Sequence, residues 1–284
     1  MVYIILLLGI VVSSSAAILI KLCSAHPFVI AAYRMVIAAT VMMPLAIRHH
    51  RAATKELFRS QRLPVLASGL LLAAHFTSWI SSLSHTSVAS SAFLVTTNPI
   101  FVAIGGWIFL KERLKSRLAI GTVVALAGAF WISYGDVNVE SNALLGDVLA
   151  ICGAIGMSGH LLIGRQLRQH IALTPYIATV YSIAAVTLVA IAFASGQSLT
   201  GHTVTNYALF LALAAGPQLV GHTSFNFALK RISPSVLVLL LLLEPISSSA
   251  LALDILSETP STATFAGGGI ILTGIVFALA RHSK

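Results

Sequence analysis

Apolar residues run through this chain in stretches of about twenty, separated by short polar breaks rather than alternating with polar positions. A run of that length matches the hydrocarbon thickness crossed by one helix, whereas period-two alternation would argue for strands. Reading runs against breaks predicts ten helices, over residues 2–22, 28–47, 63–84, 87–110, 115–134, 144–164, 174–195, 205–229, 233–257 and 262–281. The longest polar stretch, "RHHRAATKELFRSQR" at 48–62, is expected to be a connection between the second and third helices. Pro99 follows Asn98 near the middle of the fourth helix, and Pro245 follows Glu244 near the middle of the ninth. A proline removes a helix hydrogen bond and kinks the helix. A carboxylate at bilayer depth costs a few kcal/mol even on lenient insertion scales.

Composition sharpens this pattern into a class. Hydrophobic residues make up 57% of the 284 positions and charged residues only 9%, with a mean hydropathy of +0.95. Soluble domains carry about 25% charged residues, so the expected fold is an all-α integral membrane protein. The first twenty residues lack a basic leader, and Lys21 follows rather than precedes them, so they read as a retained span rather than a cleaved signal peptide. Cys23 and Cys152 have neither metal nor redox spacing.

The net charge of +9 would raise nucleic acid as a partner in a soluble protein, but its placement argues for topology instead. With the N-terminus in the cytoplasm, the inner connections and the C-terminal tail carry 15 of the 17 Lys and Arg. The outer segments "GDVNVESNA" and "GQSLTGHTVTN" carry none. Such an inward bias of positive charge sets the orientation of polytopic proteins, so ten spans with both termini cytoplasmic are expected. The two exceptions are Lys21 and Arg34.

The chain also repeats. The segment beginning "HFTSWISSLSHTSV" at His75 aligns without a gap to the segment 146 residues later. Thr77 meets Thr223, Trp79 meets Phe225, Pro99 meets Pro245, Glu112 meets Glu258, and Gly121 and Gly128 meet Gly267 and Gly274. Further upstream, Pro27 and Tyr33 pair with Pro175 and Tyr181 at an offset of 148. The halves, 1–136 and 143–284, hold five helices each. Five is odd, so the second half enters the membrane with opposite polarity. In inverted repeats of this kind, substrate sites lie near the midplane where discontinuous helices from the two halves meet.

At this point the sequence resembles a known family. "SSAFLVTTNPIFVAIGGWIFLKERL" and "SVLVLLLLLEPISSSALALDILSET" are similar to the fourth helix of an EamA domain, and "AYRMVIAA" to its arginine-bearing second helix. The whole chain resembles two tandem EamA domains of the drug/metabolite transporter superfamily. The resemblance implies a ten-helix carrier with a central cavity, built mainly from helices 1, 3, 4, 6, 8 and 9, that opens alternately to the two faces.

Polar groups inside a membrane are costly and face the protein interior or a water-filled cavity. That rule selects the candidate substrate-binding residues. His75 and Trp79 lie four apart on helix 3, and Gln218, His222 and Asn226 form a stripe at spacing four on helix 8. His160 lies on helix 6, and Asn98 and Glu244 precede the candidate hinges Pro99 and Pro245. The competing role is a bond that braces neighbouring helices or, for Trp79, simple packing or a place in an interfacial aromatic belt. Glu244 has three readings: a protonatable group coupling a proton gradient, a carboxylate holding a substrate ammonium, or a brace for the kink. Arg34 reads as structural or as a side chain reaching the outer interface. Lys21 suits either a substrate carboxylate or a phosphate headgroup.

No P-loop, HExxH, GxSxG or paired-cysteine motif is present, so no catalytic residue, metal or cofactor is assigned. The expected function is secondary transport. Aromatic surface, neutral hydrogen-bonders and one acid suit a small zwitterion, and the family resemblance points to amino-acid export across a bacterial inner membrane, aromatic and hydrophobic amino acids included. Efflux of other small metabolites or cationic drugs is the alternative, and a non-transporting receptor or scaffold a distant one. The expected partners are the small-molecule substrate, lipid and a coupling proton, with no nucleic acid, in a monomer or weak dimer.

Overall fold

Serines, threonines and prolines decide where the helices of this protein break. In the computed structural model, which describes residues 1–86, 88–111, 114–134, 143–256 and 262–280, every regular element is helical. The first apolar run is split into α1 (Val2–Ser13) and α2 (Ala16–Lys21). Between them, Ser14 Oγ donates to the Ile10 carbonyl at 2.7 Å and Ser15 Oγ to that of Val12 at 2.8 Å, a back-bonding that bends helices.

α3 (Pro27–Ser60) starts on a proline, with His26 Nδ1 accepting from the Phe28 N–H. It runs well past the predicted end at residue 47. The polar stretch expected to be a connection is helical as far as Ser60, with one turn of direction at His50 (φ −140°, ψ 30°). No glycine or proline interrupts that stretch, and Thr54 and Leu57, three apart, bury one face of it. α4 (Arg62–Ser82) follows.

The fourth apolar run is divided into α5 (Val88–Val95) and α6 (Asn98–Phe109). α7 (Ser116–Tyr134), α8 (Ala143–Arg168) and α9 (Leu173–Ala194) are continuous. α10 (Val204–Leu213) passes into a π-helix, Ala214–His222, which contains Pro217, and then into α11 (Thr223–Ala228). The Ser233 hydroxyl caps α12 (Pro234–Leu241), accepting from the Val236 N–H at 3.3 Å. α13 (Glu244–Leu256) and α14 (Thr262–Leu279) complete the chain.

Among the described residues, eight helical segments are long and apolar enough to cross a membrane; Ser116–Ile132 and Phe265–Leu279 are shorter apolar helices. Large apolar side chains such as Phe193 and Val186 stand exposed on the outside, which suits a lipid solvent. The chain is an all-helical multi-pass membrane protein.

The packing mirrors the sequence repeat. α3 lies along α9, α7 along α14, α4 along α8, α1 along the π-helix, and α6 against α12. α7 and α14 approach through glycines. A methyl group on Gly121 would strike the Gly274 carbonyl, and one on Gly274 would strike the Gly121 carbonyl; Gly128 and Gly267 are related in the same reciprocal way. Small residues of this kind let membrane helices approach backbone to backbone. Since Gly121 aligns with Gly267 and Gly128 with Gly274, exchanging the halves carries one contact onto the other. Glu112 and Glu258 of the repeat lie outside the described residues, as do Arg113, Arg281, Lys284 and the outer segment around Asn138.

Candidate functional site

Three broken helices meet at one cavity. Ser13 and Ser14 reach it from the α1–α2 break, Thr96 and Asn98 from the α5–α6 break, and Leu241, Glu244 and Pro245 from the α12–α13 break. α3 adds Arg34, α4 adds His75 and Trp79, and His222 and Phe225 come from the π-helix and α11. The space free of protein atoms is about 730 Å³, its mouth included.

One wall is aromatic. His75 stacks on Trp79 with centroids 5.8 Å apart and planes within 8°. His222 lies 6.1 Å from His75 and 5.2 Å from Phe225. His75 Nδ1 is 2.9 Å from the Gly153 carbonyl, which can only accept, so that nitrogen carries the proton.

Two charges of opposite sign line the same space. Arg34 has no exposed surface. Its Nε donates to Gln218 Oε1 at 2.9 Å, and its Cζ sits 4.3 Å over the Phe76 ring. Glu244 opens α13, where a carboxylate is favoured by the helix dipole, and Ser13 and Arg34 line the same cavity. Arg34 Nη1 and Nη2, Trp79 Nε1, Asn98 Oδ1 and His222 Nδ1 are all buried without a hydrogen-bond partner. Such atoms are rare, because each forfeits its desolvation cost. Five of the eleven such atoms among the described residues belong to residues that line this cavity.

Of the residues selected from sequence, His75, Trp79, Asn98, His222, Glu244 and Pro245 line this cavity. The structure does not bring Gln218, Asn226, His160 or Pro99 to its wall. Gln218 stands one layer behind, holding Arg34. Asn226 Nδ2 donates to the His222 backbone carbonyl at 2.9 Å, and the Asn226 backbone carbonyl accepts from Arg168 Nε at 3.1 Å. Gln218 is turned away from His222 because the π-helix between them bonds i to i+5, which rotates successive residues away from an α-helical register. His160 belongs to a second buried network: its Nδ1 is 2.9 Å from Ser68 Oγ, which is 2.8 Å from the Tyr176 hydroxyl.

Arg34, Ser13, Ser14 and Thr96 were not among the residues selected. The run "SSS" at 13–15 is the signal available for Ser13 and Ser14, as consecutive serines weaken a helix through back-bonding. Arg34 does brace its surroundings, as expected, but it stays inside rather than reaching outward. Tyr33 faces elsewhere, stacking on Phe210 at 4.5 Å. Lys21 is exposed at the end of α2.

An apolar helical bundle whose broken helices converge on a polar cavity is the architecture of a membrane carrier. The chain belongs to the EamA-like transporter family, which matches it twice, over residues 1–134 and 144–280. The tandem EamA resemblance read from the sequence is thereby shown, and with it a transporter rather than an enzyme. An uncharacterized transporter of Archaeoglobus fulgidus is 25% identical over 266 residues, covering 91% of this chain and 89% of that protein. The uncharacterized transporter YwfM of Bacillus subtilis is 24% identical over 276 residues, with coverages of 92% and 87%. A solved crystal structure overlays with a TM-score of 0.82 at 18% identity, over 98% of this chain and 96% of the other, a likeness of fold.

Proposed function

We propose that this protein is an exporter of small zwitterionic metabolites, foremost amino acids with aromatic or hydrophobic side chains, acting by alternating access in a bacterial inner membrane. The observation that carries the reading is the cavity itself: one cationic and one anionic side chain among its described lining residues, beside a stacked His75–Trp79 wall. Opposite charges suit the two ends of a zwitterion, and the aromatic wall suits its side chain. The reading includes ten spans in two inverted halves, 1–136 and 143–284, with both ends cytoplasmic. The reciprocal glycine contacts of α7 and α14 and the inward bias of Lys and Arg support that arrangement.

The test is transport by the purified protein in liposomes against a panel of labelled amino acids. Uptake or counterflow of aromatic and branched-chain amino acids is expected, and its absence for every amino acid overturns the substrate class. A second reading, efflux of organic cations, is favoured by Glu244 beside aromatic rings; cation transport without amino-acid transport would establish it. Topology is tested separately, with a single cysteine at Arg51 in a background lacking Cys23 and Cys152. Labelling from outside intact cells by an impermeant thiol reagent would overturn the orientation.

A further inference from the structure

We infer that Arg34 is the carboxylate anchor of the cavity, gripping the acid end of the substrate through Nη1 and Nη2 while Glu244 holds the ammonium. The inference rests on the zwitterion reading above and names the group that recognises one end of it.

Three observations converge. Arg34 is fully buried, yet its hydrogen bonding stops at Nε, which Gln218 Oε1 holds at 2.9 Å; both Nη atoms are buried without a partner. A guanidinium presents a planar fork matched to the two oxygens of a carboxylate, and the Nη pair is the end of that fork left free. The fork is also held in place. Gln218 fixes one edge and the Phe76 ring lies 4.3 Å beneath Cζ, so little ordering remains to be done when a ligand arrives.

Finally, the protein carboxylate on the same cavity is not spent on Arg34. Glu244 lines the space, but the Nη atoms have no hydrogen bond to it. A buried guanidinium with two unpartnered nitrogens is costly, and a brace alone would not leave its strongest donors idle. The N-terminus of α6, headed by uncharged Asn98 rather than an acid, adds partial positive charge on the same wall. A phosphate dianion fits poorly, because Arg34 is the one fixed cation among the described lining residues and Glu244 would repel the second charge. A monocarboxylate with an ammonium satisfies both side chains.

The test measures ligand-induced thermal stabilisation and affinity of the full-length protein in detergent, with phenylalanine, phenylalaninamide and 3-phenylpropionate. The amide keeps the ammonium and loses the carboxylate; the propionate does the reverse. Wild type is expected to prefer phenylalanine to the amide by about 10- to 100-fold, the worth of one charge-assisted pair. Arg34→Gln should erase that preference by weakening phenylalanine and the propionate while leaving the amide within about threefold. Arg34→Lys, which keeps the charge without the fork, should fall between. Wild type binding the amide as tightly as phenylalanine overturns the inference even if no variant folds. So does an Arg34→Gln protein that loses all three ligands equally, which would make Arg34 a brace. The two readings separate cleanly. Amino acids transported with Arg34→Gln unchanged sinks the anchor and spares the zwitterion reading. The propionate bound through Arg34 with amino acids ignored does the opposite. Binding of none of the three overturns both.

Discussion

The two helix breaks that come from the repeat share a backbone design and differ in chemistry. In the first half, α5 stops at Val95 and α6 restarts at Asn98. The freed carbonyls there are covered locally: Thr96 Oγ1 donates to Phe93 O at 2.8 Å and Thr97 Oγ1 to Leu94 O at 2.6 Å. Ser158 of α8 lies 3.2 Å from the Asn98 carbonyl. In the second half, α12 stops at Leu241 and α13 restarts at Glu244. Leu242 and Leu243 fill the same positions, with no hydroxyl to offer, and the turn relies on backbone bonds from their N–H groups to Leu239 and Leu240 at 3.2 and 3.0 Å. One break is therefore finished by side-chain hydroxyls and headed by an amide. The other is greasy and headed by a carboxylate. The two interruptions share a backbone plan, and Asn98 and Glu244 give them different chemistry.

Substitution at those two positions should show the largest contrast. Glu244→Gln is expected to cut transport in liposomes by at least about tenfold, the scale of one buried charge-assisted interaction. Asn98→Ala should change it by less than about threefold. The form of the Glu244→Gln defect also identifies the role. Lost response to a pH gradient with substrate exchange intact means a coupling proton; lost affinity with the gradient response intact means an ammonium partner. Equal defects at both positions would show the breaks to be chemically interchangeable.

A smaller and more even effect is expected at the prolines. Pro99 and Pro245 stand in the first turns of α6 and α13, where a missing N–H is tolerated. Pro99→Ala and Pro245→Ala should leave a folded protein and slow turnover by about two- to tenfold, as removing the ring lifts the steric bar to a helix that runs continuously across the break. Substrate affinity should stay within about twofold, measured by initial rates across a concentration series. Full-speed turnover in both would reduce the kinks to packing.

The smallest contrast is one of stability. Thr96→Val and Thr97→Val remove the hydroxyls that finish the first break and should each lower stability by about 1 kcal/mol, read from thermal unfolding in detergent. Leu242→Thr, at the counterpart of Thr96, should gain or lose no more than about 0.5 kcal/mol, because that turn already stands without a hydroxyl. A Leu242→Thr change as large as the valine losses would mean the two turns depend on hydroxyls alike.

Much of this protein is legible in its sequence, for identifiable reasons. Membrane spans are set by length and hydropathy, both local properties, so the apolar runs and the gaps at Pro99 and Pro245 are visible in one dimension. The repeat is visible because glycines and prolines tolerate few substitutes where backbones touch or helices stop. Charge in the connections is equally local. What stayed hidden depends on rotation and on distant partners. Helices that are apolar nearly all round do not say which face a lone polar residue takes, so Arg34 was indistinguishable from an outer-end cation until Gln218, 184 positions away, was placed against it. The π-helix breaks the spacing rule that grouped Gln218, His222 and Asn226. The helical course of 48–60 was masked by its polarity. The helical membrane class and the family were determined by the sequence alone, since each rests on near-neighbour chemistry. Only the tertiary structure decided which polar groups share one cavity, because that depends on how three broken helices are turned toward each other.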